Sequence, residues 1–440
     1  MKTNASQYRM LLVCTIGCAL ETYDFMIYAL MAPYTSAIFF PNESDVSGLL
    51  LTFATFGIGY LSRPFGAALF GHIGDRHGRK KPFSVTILLM AASTAFIGLL
   101  PGYSTLGAAA PLLLLGLRLL QGVSMGGEVG GALTYTQEIL PTRKAFASCT
   151  VVCGMIFGLA LGHLIHALLK ALMSPETMVE MGWRIAFMIG GGLGIIGYLI
   201  RTHFRETAGF LAIQKNKSVH AVPLMHLIAN HPKAVVTGML STMAHGFTSI
   251  YLLVFLPIWL GRQFPTNDEF ITLLSSATCV VAALLSLFFG FMADKWCGRL
   301  SFMSYLAIIC ISLPMTQFIL SDMSRLPQLA LVASSILVAM MCAGSMWIFS
   351  QQFTTDIRYT GSGVSYNIGF ALSGGMTPLL ATYIAEKTAT NYGTGYVLVF
   401  AGLCGFIAMI FNHQQNCRKP PEQGFQSGKD DPGRQHVQSQ

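Results

Sequence analysis

Charge is scarce in this chain. Only 10% of its 440 residues are Asp, Glu, Lys or Arg, whereas a soluble domain carries about 25%. That scarcity excludes a molecule solvated by water on all sides. A phosphate-cradling loop is also missing. No G-x-x-x-x-G-K-[ST] occurs, so ATP hydrolysis on this chain is not expected to drive its work. The ten cysteines contain no CxxC pair. Cys14/Cys18 and Cys149/Cys153 stand four apart on apolar stretches, where cysteine acts as a small hydrophobe. No disulfide framework, metal or cofactor is expected. No HExxH cluster or wet nucleophile is found either, so the chain does not read as an enzyme.

What the chain does have is apolar sequence. Hydrophobic residues make up 53% of it and the mean hydropathy is +0.57. A bilayer-spanning helix needs roughly 20 apolar residues. About twelve such stretches are present: 10–33, 47–70, 82–101, 107–130, 146–170, 183–202, 233–260, 270–293, 300–320, 327–350, 361–385 and 394–412. The expected fold is therefore an all-α membrane protein of about 12 transmembrane helices, with no room for a soluble catalytic domain. The first stretch is too long, and too closely followed by others, for a cleaved signal peptide. Gly122-Val-Ser124-Met-Gly126 matches G-x-S-x-G, and Gly192-Leu-Gly194-Ile-Ile-Gly197 matches G-x-G-x-x-G. Both lie inside apolar stretches and lack the strand their chemistry requires. They read as small residues that let helices pack closely.

A net charge of +8 suggests an acidic partner, but its distribution explains it otherwise. With Met1 inside, the cytoplasmic segments hold 20 of the 27 Lys and Arg. The outer segments hold five, Lys170, Arg184, Arg262, Arg325 and Lys387, while Arg63 and Arg118 lie within spans. This is the positive-inside bias. It puts both termini in the cytoplasm and requires no nucleic acid. Asn42-Glu43-Ser44 matches a glycosylation sequon in an outer loop, without meaning in a bacterial protein.

One charged loop occurs twice. Gly71-His-Ile-Gly-Asp75-Arg76-His-Gly78-Arg79-Lys80-Lys81 has a degraded copy from Gly290 to Arg299, with Asp294 lying 219 residues after Asp75. The repeat divides the chain into a six-helix half over 1–202, a polar linker over 203–232 holding Arg205, Lys215, Lys217 and His220, and a second half over 233–412. A polar tail over 413–440 reads as disordered. Two parallel halves of this kind form a transporter architecture with a site near midplane between them.

The first loop resembles the signature between spans 2 and 3 of the major facilitator superfamily. Other segments are similar to its metabolite:proton symporter branch, whose members carry proline, betaine, alpha-ketoglutarate, shikimate or citrate. These are Glu21-Thr-Tyr-Asp24-Phe25, Phe39-Phe40-Pro41, Arg63-Pro64-Phe-Gly66, and Arg118-Leu-Leu-Gln121-Gly122 continuing to Glu128. Gly182-Trp183-Arg184, Arg205-Glu206-Thr207, Arg358-Tyr359-x-Gly361, Tyr366-Asn367 and Gly374-Gly375-x-x-Pro378 follow in order. The chain departs from that pattern at Thr22, where an aromatic is usual, and at Ala208 and Gly209, where a proline is usual. The tail also lacks the coiled coil of osmosensing members. The resemblance implies a monomeric secondary transporter in the bacterial inner membrane, whose partners are the lipid bilayer, protons and a small-molecule substrate.

Charged side chains at mid-bilayer cost roughly 2.5–3.5 kcal/mol on insertion scales and so face the interior. Glu21 and Asp24 lie three apart on one face of span 1, with Tyr28 one turn further. Arg118 in span 4 lies at similar depth. Burial raises a carboxylate pKa and a nearby Arg lowers it, so Glu21 or Asp24 is the expected proton carrier. Arg118 is expected to pair with it and to bind a substrate carboxylate in alternation. A buried ion pair that merely joins spans 1 and 4 is the competing reading. Tyr28, Trp347, Gln351, Tyr366 and Asn367 are further candidates for substrate contact, with His245, Tyr251 and Gln352 as other cavity groups. His163 and His166 read as residues of a wet outer rim.

The resemblance implies that Asp75, Arg76, Arg79, Glu128, Glu138, Asp294 and Arg299 form a cytoplasmic gate. The competing reading of the basic loop is a topology determinant. The whole reads as proton-coupled symport of an organic acid, amino acid or betaine by alternating access. The alternatives are an exporter of drugs or siderophore-like molecules, and a non-transporting membrane sensor.

Overall fold

The structure, a computed structural model, describes residues 5–41, 45–202, 206, 211, 215, 223–263, 268–296, 298–321, 327–388 and 391–416. The Asn42-Glu43-Ser44 sequon, most of the 203–232 linker (Arg205, Lys217 and His220 included) and the tail from 417 onward lie outside the described residues.

Long apolar runs satisfy their backbone polar groups only by forming helices when water is absent. The described residues accordingly form twelve long helices and no strand. They are α1 (Ala5–Phe39), α2 (Asp45–His77), α3 (Lys80–Leu99), α4 (Ala109–Ile139), α5 (Lys144–Leu172) and α6 (Trp183–Thr202). The second set is α7 (Pro232–Ile250), α8 (Asp268–Trp296), α9 (Arg299–Ser321), α10 (Pro327–Phe349), α11 (Arg358–Thr388) and α12 (Tyr396–Asn416). A π turn at Tyr251–Phe255 and a helix at Leu256–Gln263 extend α7, and a short helix at Pro223–Asn230 precedes it.

Nine described helices are long and apolar enough to cross a membrane, and Ala333–Phe349 of α10 is a shorter apolar helix. The other two, α2 and α11, pack on each other. They carry Arg63, Asp75, Arg358 and Asn367, all buried, so part of their surface faces protein rather than lipid. Elsewhere the outer surface is apolar, with Phe65, Leu112 and Leu172 each more than 60% exposed. Arginines 63, 79, 118 and 201 are instead fully buried. Interior hydroxyls bond back along their own helices, as Thr242 does to the Gly238 carbonyl and Thr248 to that of Ala244. Such bonds satisfy a polar group without a partner helix.

The packing repeats at an interval of six helices. In the first set α1 packs on α5 and α6, α2 on α4, and α3 on α4 and α6. In the second, α7 packs on α11 and α12, α8 on α10, and α9 on α10 and α12. Contacts between the sets repeat as well, α2 against α11 matching α8 against α5. The closest approach uses glycine. A Cβ on Gly130 of α4 would lie 2.6 Å from the Gly363 Cα of α11. In the loop between α2 and α3, Gly78 has φ of 111°, a conformation open to glycine alone.

Several helices begin at the end of the bundle that carries this loop, here the loop end. Their first N–H groups have no partner within the helix, and three of these starts receive an acid from elsewhere. Asp75 of α2 accepts from Tyr359 N at 3.3 Å and Thr360 N at 2.8 Å, at the start of α11. Asp294 of α8 accepts from Ala145 N at 3.0 Å and Phe146 N at 2.9 Å, at the start of α5. Glu206 accepts from Arg79 N at 3.0 Å and Lys80 N at 3.2 Å, at the start of α3. The two copies of the loop motif therefore do equivalent work, each reaching into the opposite half.

Glu128 departs from the expected gate. It lies nearly three turns before Glu138 on α4 and pairs there with Arg201 of α6. It also accepts from Thr86 Oγ1 of α3 at 3.0 Å. Arg201 adds a bond to the Phe83 carbonyl at 3.1 Å and stands 4.0 Å over the Phe83 ring. This buried pair ties α3, α4 and α6 within the first half and does not cross to the second.

Two outcomes follow. Asp75→Asn is expected to raise amide exchange at residues 359–360 about fivefold, from a capping contribution of about 1 kcal/mol, leaving 145–146 unchanged. Asp294→Asn does the reverse. Hydrogen–deuterium exchange reads both, and parallel changes at the two sites would contradict separate caps. Arg201→Met is expected to cost about 3–5 kcal/mol by leaving a buried carboxylate alone, and Glu128→Met/Arg201→Met to recover most of it. Detergent melting curves decide, since equal losses in the single and double variants would show that the pair itself is not what matters.

Candidate functional site

At the centre of the first half the aromatic face of α1 meets the cation of α4. Phe25 and Tyr28 are one turn apart on α1. Arg118, fully buried, holds its guanidinium carbon 4.5 Å from the Phe25 ring, 4.3 Å from Tyr28 and 5.2 Å from Phe56 of α2. Tyr28 and Phe56 are stacked, with centroids 6.3 Å apart. Such rings attract a cation through their electron-rich faces. The Nη1 donates to Gln121 Oε1 at 2.6 Å, while Nε and Nη2 have no hydrogen-bond partner.

The expected ion pair between Arg118 and a carboxylate of α1 is not formed. Asp24 is buried at 1% exposure, against Gly190 and Gly194 of α6 and beside Thr94 of α3. One residue is about 100° of helix rotation, so Asp24 turns toward α3 and α6 while Phe25 turns toward Arg118. Both Glu21 oxygens and Asp24 Oδ1 lack hydrogen-bond partners. An aromatic cage and a glutamine hold the cation, and the two buried carboxyls of α1 do not pair with it.

Arg63 of α2 is a second central cation, visible in the sequence as an arginine within a span and part of an Arg-Pro-x-Gly segment but not assigned to the site. Its Nε donates to Asn367 Oδ1 of α11 at 2.9 Å. It lies 5.4 Å from the Tyr60 ring and 5.1 Å from that of Phe370. Asn367 in turn donates to the carbonyls of Gly126 at 2.9 Å and Gly363 at 2.8 Å. Its amide is thus fully used in clamping α2 and α4 to α11. Tyr366 stacks on Phe370 at 5.7 Å and points its hydroxyl at Met155 Sδ, 3.6 Å away. His245 Nδ1 lies 3.0 Å from Cys342 Sγ and 3.1 Å from Ser249 Oγ.

Trp347 and Gln351 fall elsewhere. Trp347 borders Gly298 of the second loop copy. Gln351 comes after the last residue of α10, with its amide 3.4 Å from Ser350 Oγ. Both belong to the loop end, because α10 runs toward it and stops at Phe349.

The loop end carries the crossing network. Arg79 pairs with Asp75 at 3.4 Å and with Glu138 of α4, and donates to the Thr355 carbonyl at 2.5 Å. Arg358 of α11 reaches the same Glu138 oxygen at 3.0 Å. Tyr359 donates to the Gly127 carbonyl at 3.0 Å. Burial draws the Arg79 guanidinium below its usual pKa, and Asp75 opposes that shift. Arg76 and Arg299 are exposed and take no part in the described contacts. Asp294 caps α5 instead of pairing with Arg299. Arg358 was recognisable in the sequence only as part of a resemblance, and its role follows from the start of α11 lying against Glu138.

Residues 10–234 match the model of the sugar (and other) transporter family. A putative proline/betaine transporter of Staphylococcus haemolyticus is 33% identical, covering 92% of this chain and 87% of its own length. The inner membrane metabolite transport protein YhjE of Escherichia coli is 33% identical, covering 93% and 94%. A citrate-proton symporter of Klebsiella pneumoniae is 30% identical, covering 91% of each. Among solved structures, the proton:xylose symporter XylE superposes with a TM-score of 0.74 at 16% identity, over 94% of this chain and 96% of its own. With half the chain under one family model and relatives of this identity along nine-tenths of it, the chain belongs to the sugar (and other) transporter family of the major facilitator superfamily and is a membrane transporter.

Proposed function

We propose that this transporter is a proton-coupled symporter of a small polar metabolite, an organic acid, amino acid or betaine, working by alternating access. Arg118 carries the reading. Its guanidinium has two nitrogens, Nε and Nη2, without a hydrogen-bond partner in a closed aromatic cage. Buried donors of a cation demand an acceptor, and a substrate carboxylate supplies two oxygens in matching geometry. Glu21 and Asp24 supply the proton side. A carboxylate kept from water without a counter-ion is costly, and binding a proton removes that cost. Kinship with a citrate-proton symporter and with a putative proline/betaine transporter supports both parts.

The Asp75–Arg79–Glu138–Arg358 network is the gate in this reading. The positive-inside bias puts it at the cytoplasmic face of a bacterial inner membrane, with both termini on that side. Its charged contacts join the halves there and must break for release inward. Asn367 and Arg63 act as a second clamp nearer midplane.

Proteoliposomes loaded with radiolabelled citrate, proline or betaine test this, with and without an acid-outside gradient. One of these compounds is expected to accumulate only with the gradient. Lower outside pH raises the rate in the wild type, and Asp24→Asn removes that dependence. Arg118→Lys is expected to cut uptake roughly 10- to 100-fold, from about 1.5–3 kcal/mol per charged hydrogen bond. Gradient-driven uptake that survives unchanged in both Asp24→Asn and Glu21→Gln sinks the proposal. Asp75→Asn is expected to reach the membrane but not transport; loss of insertion would make the loop a topology determinant instead.

A further inference from the structure

Four buried side chains on three helices form one line: Arg118 and Gln121 of α4, Thr94 of α3 and Asp24 of α1. The line has a set polarity. Arginine can only donate, so the Gln121 amide must turn its oxygen to Nη1, at 2.6 Å. Its nitrogen then faces Thr94, whose Oγ1 accepts at 2.8 Å. Having accepted from Gln121, the Thr94 hydroxyl keeps its own hydrogen, and the Asp24 carboxyl stands beside Thr94 to receive it. Asp24 Oδ1 and Thr94 Cγ2 both border the place a Cβ on Gly190 would take. All donors therefore point from cation to carboxyl, and hydrogen bonds in series polarise one another.

The other neighbours of Asp24 leave this line as its polar connection. The helix α6 presents Gly190 and Gly194 to it. The neighbouring titratable groups on α1 are Glu21, three residues before it and without a hydrogen-bond partner, and Tyr23, whose hydroxyl donates to the Ala186 carbonyl at 2.9 Å.

We infer that Gln121 and Thr94 are positioning residues that report the state of Arg118 to Asp24, so that an anionic group at Arg118 and a proton on Asp24 favour each other. The inference rests on the symport reading above. A carboxylate on the free Nε and Nη2 pulls the guanidinium toward itself and draws Nη1 away from Gln121 Oε1. The amide is then free to turn, and Thr94 loses the bond that aims its hydrogen at Asp24. The carboxyl binds a proton and donates to Thr94 Oγ1, reversing the far end of the line. When the anion leaves, Arg118 recaptures Gln121, Thr94 turns back and the proton departs. No covalent bond changes other than O–H.

Infrared difference spectroscopy of the reconstituted protein tests this with protons alone. The Asp24 carbonyl stretch is assigned by its loss in Asp24→Asn. Gln121→Leu, which does not touch Asp24, is expected to shift that band and move its titration about tenfold in proton concentration, the effect of one buried hydrogen bond. Thr94→Val does the same, and Thr94→Ser restores the wild-type signal. An unmoved band in Gln121→Leu overturns the inference. With citrate, proline or betaine as probe, Gln121→Leu is expected to lower gradient-driven accumulation about tenfold more than it lowers counterflow exchange. Equal loss of both would make Gln121 a packing residue and also overturns it. A wild type without gradient dependence defeats the symport reading by itself, and the infrared result still decides the relay.

Discussion

A guanidinium buried without a counter-ion is the constraint on which the rest of the molecule depends. Arg118 is shut away from solvent, and its described partners are three aromatic rings and one amide. In a soluble core a carboxylate would be expected beside it. Here neither buried carboxyl of α1 pairs with it. Cation–π contacts of roughly 0.5–2 kcal/mol each hold the group in place, yet they leave its N–H groups unsatisfied. In the proposed function such a site receives an anion.

At the loop end, charge bridges the halves. Asp75 caps α11 and Asp294 caps α5, each across the interface. Both use the same device, a carboxylate on the positive end of a helix dipole. The first copy adds Arg79, Glu138 and Arg358, whereas Arg299 in the second stays exposed. The halves are therefore alike in packing and unequal in electrostatics. Contacts of this kind are individually modest, which suits a joint that opens on every cycle. The Glu128–Arg201 pair stays inside one half and suits the opposite need, a rigid body that moves as a unit.

The helices were legible in the sequence because length and apolarity alone decide them in a bilayer. The twelve segments correspond to the twelve helices, most of which run a few residues further. The repeat was legible because a charged loop stands out from an apolar background. Side-chain direction was not. Glu21 and Asp24 share a helix face by spacing, but only the packing of Gly190 and Gly194 shows that Asp24 turns toward α6. Glu128 was assigned to the gate by the family resemblance, and a distant arginine at the end of α6 claims it instead. Trp347 and Gln351 looked like cavity residues, but α10 has reached the loop end before they occur. Gln121 and Thr94 carry no charge, so nothing in the sequence marked them as links.

The central claim is that an anion at Arg118 and a proton on Asp24 are linked, and linkage is reciprocal. The most direct measurement is the affinity of the purified protein for citrate, proline or betaine as a function of pH, by calorimetry. The account predicts that binding tightens as pH falls, that Asp24→Asn makes it indifferent to pH, and that Arg118→Gln abolishes it. Wild-type affinity that does not change with pH, or tight binding that survives Arg118→Gln, would contradict the account.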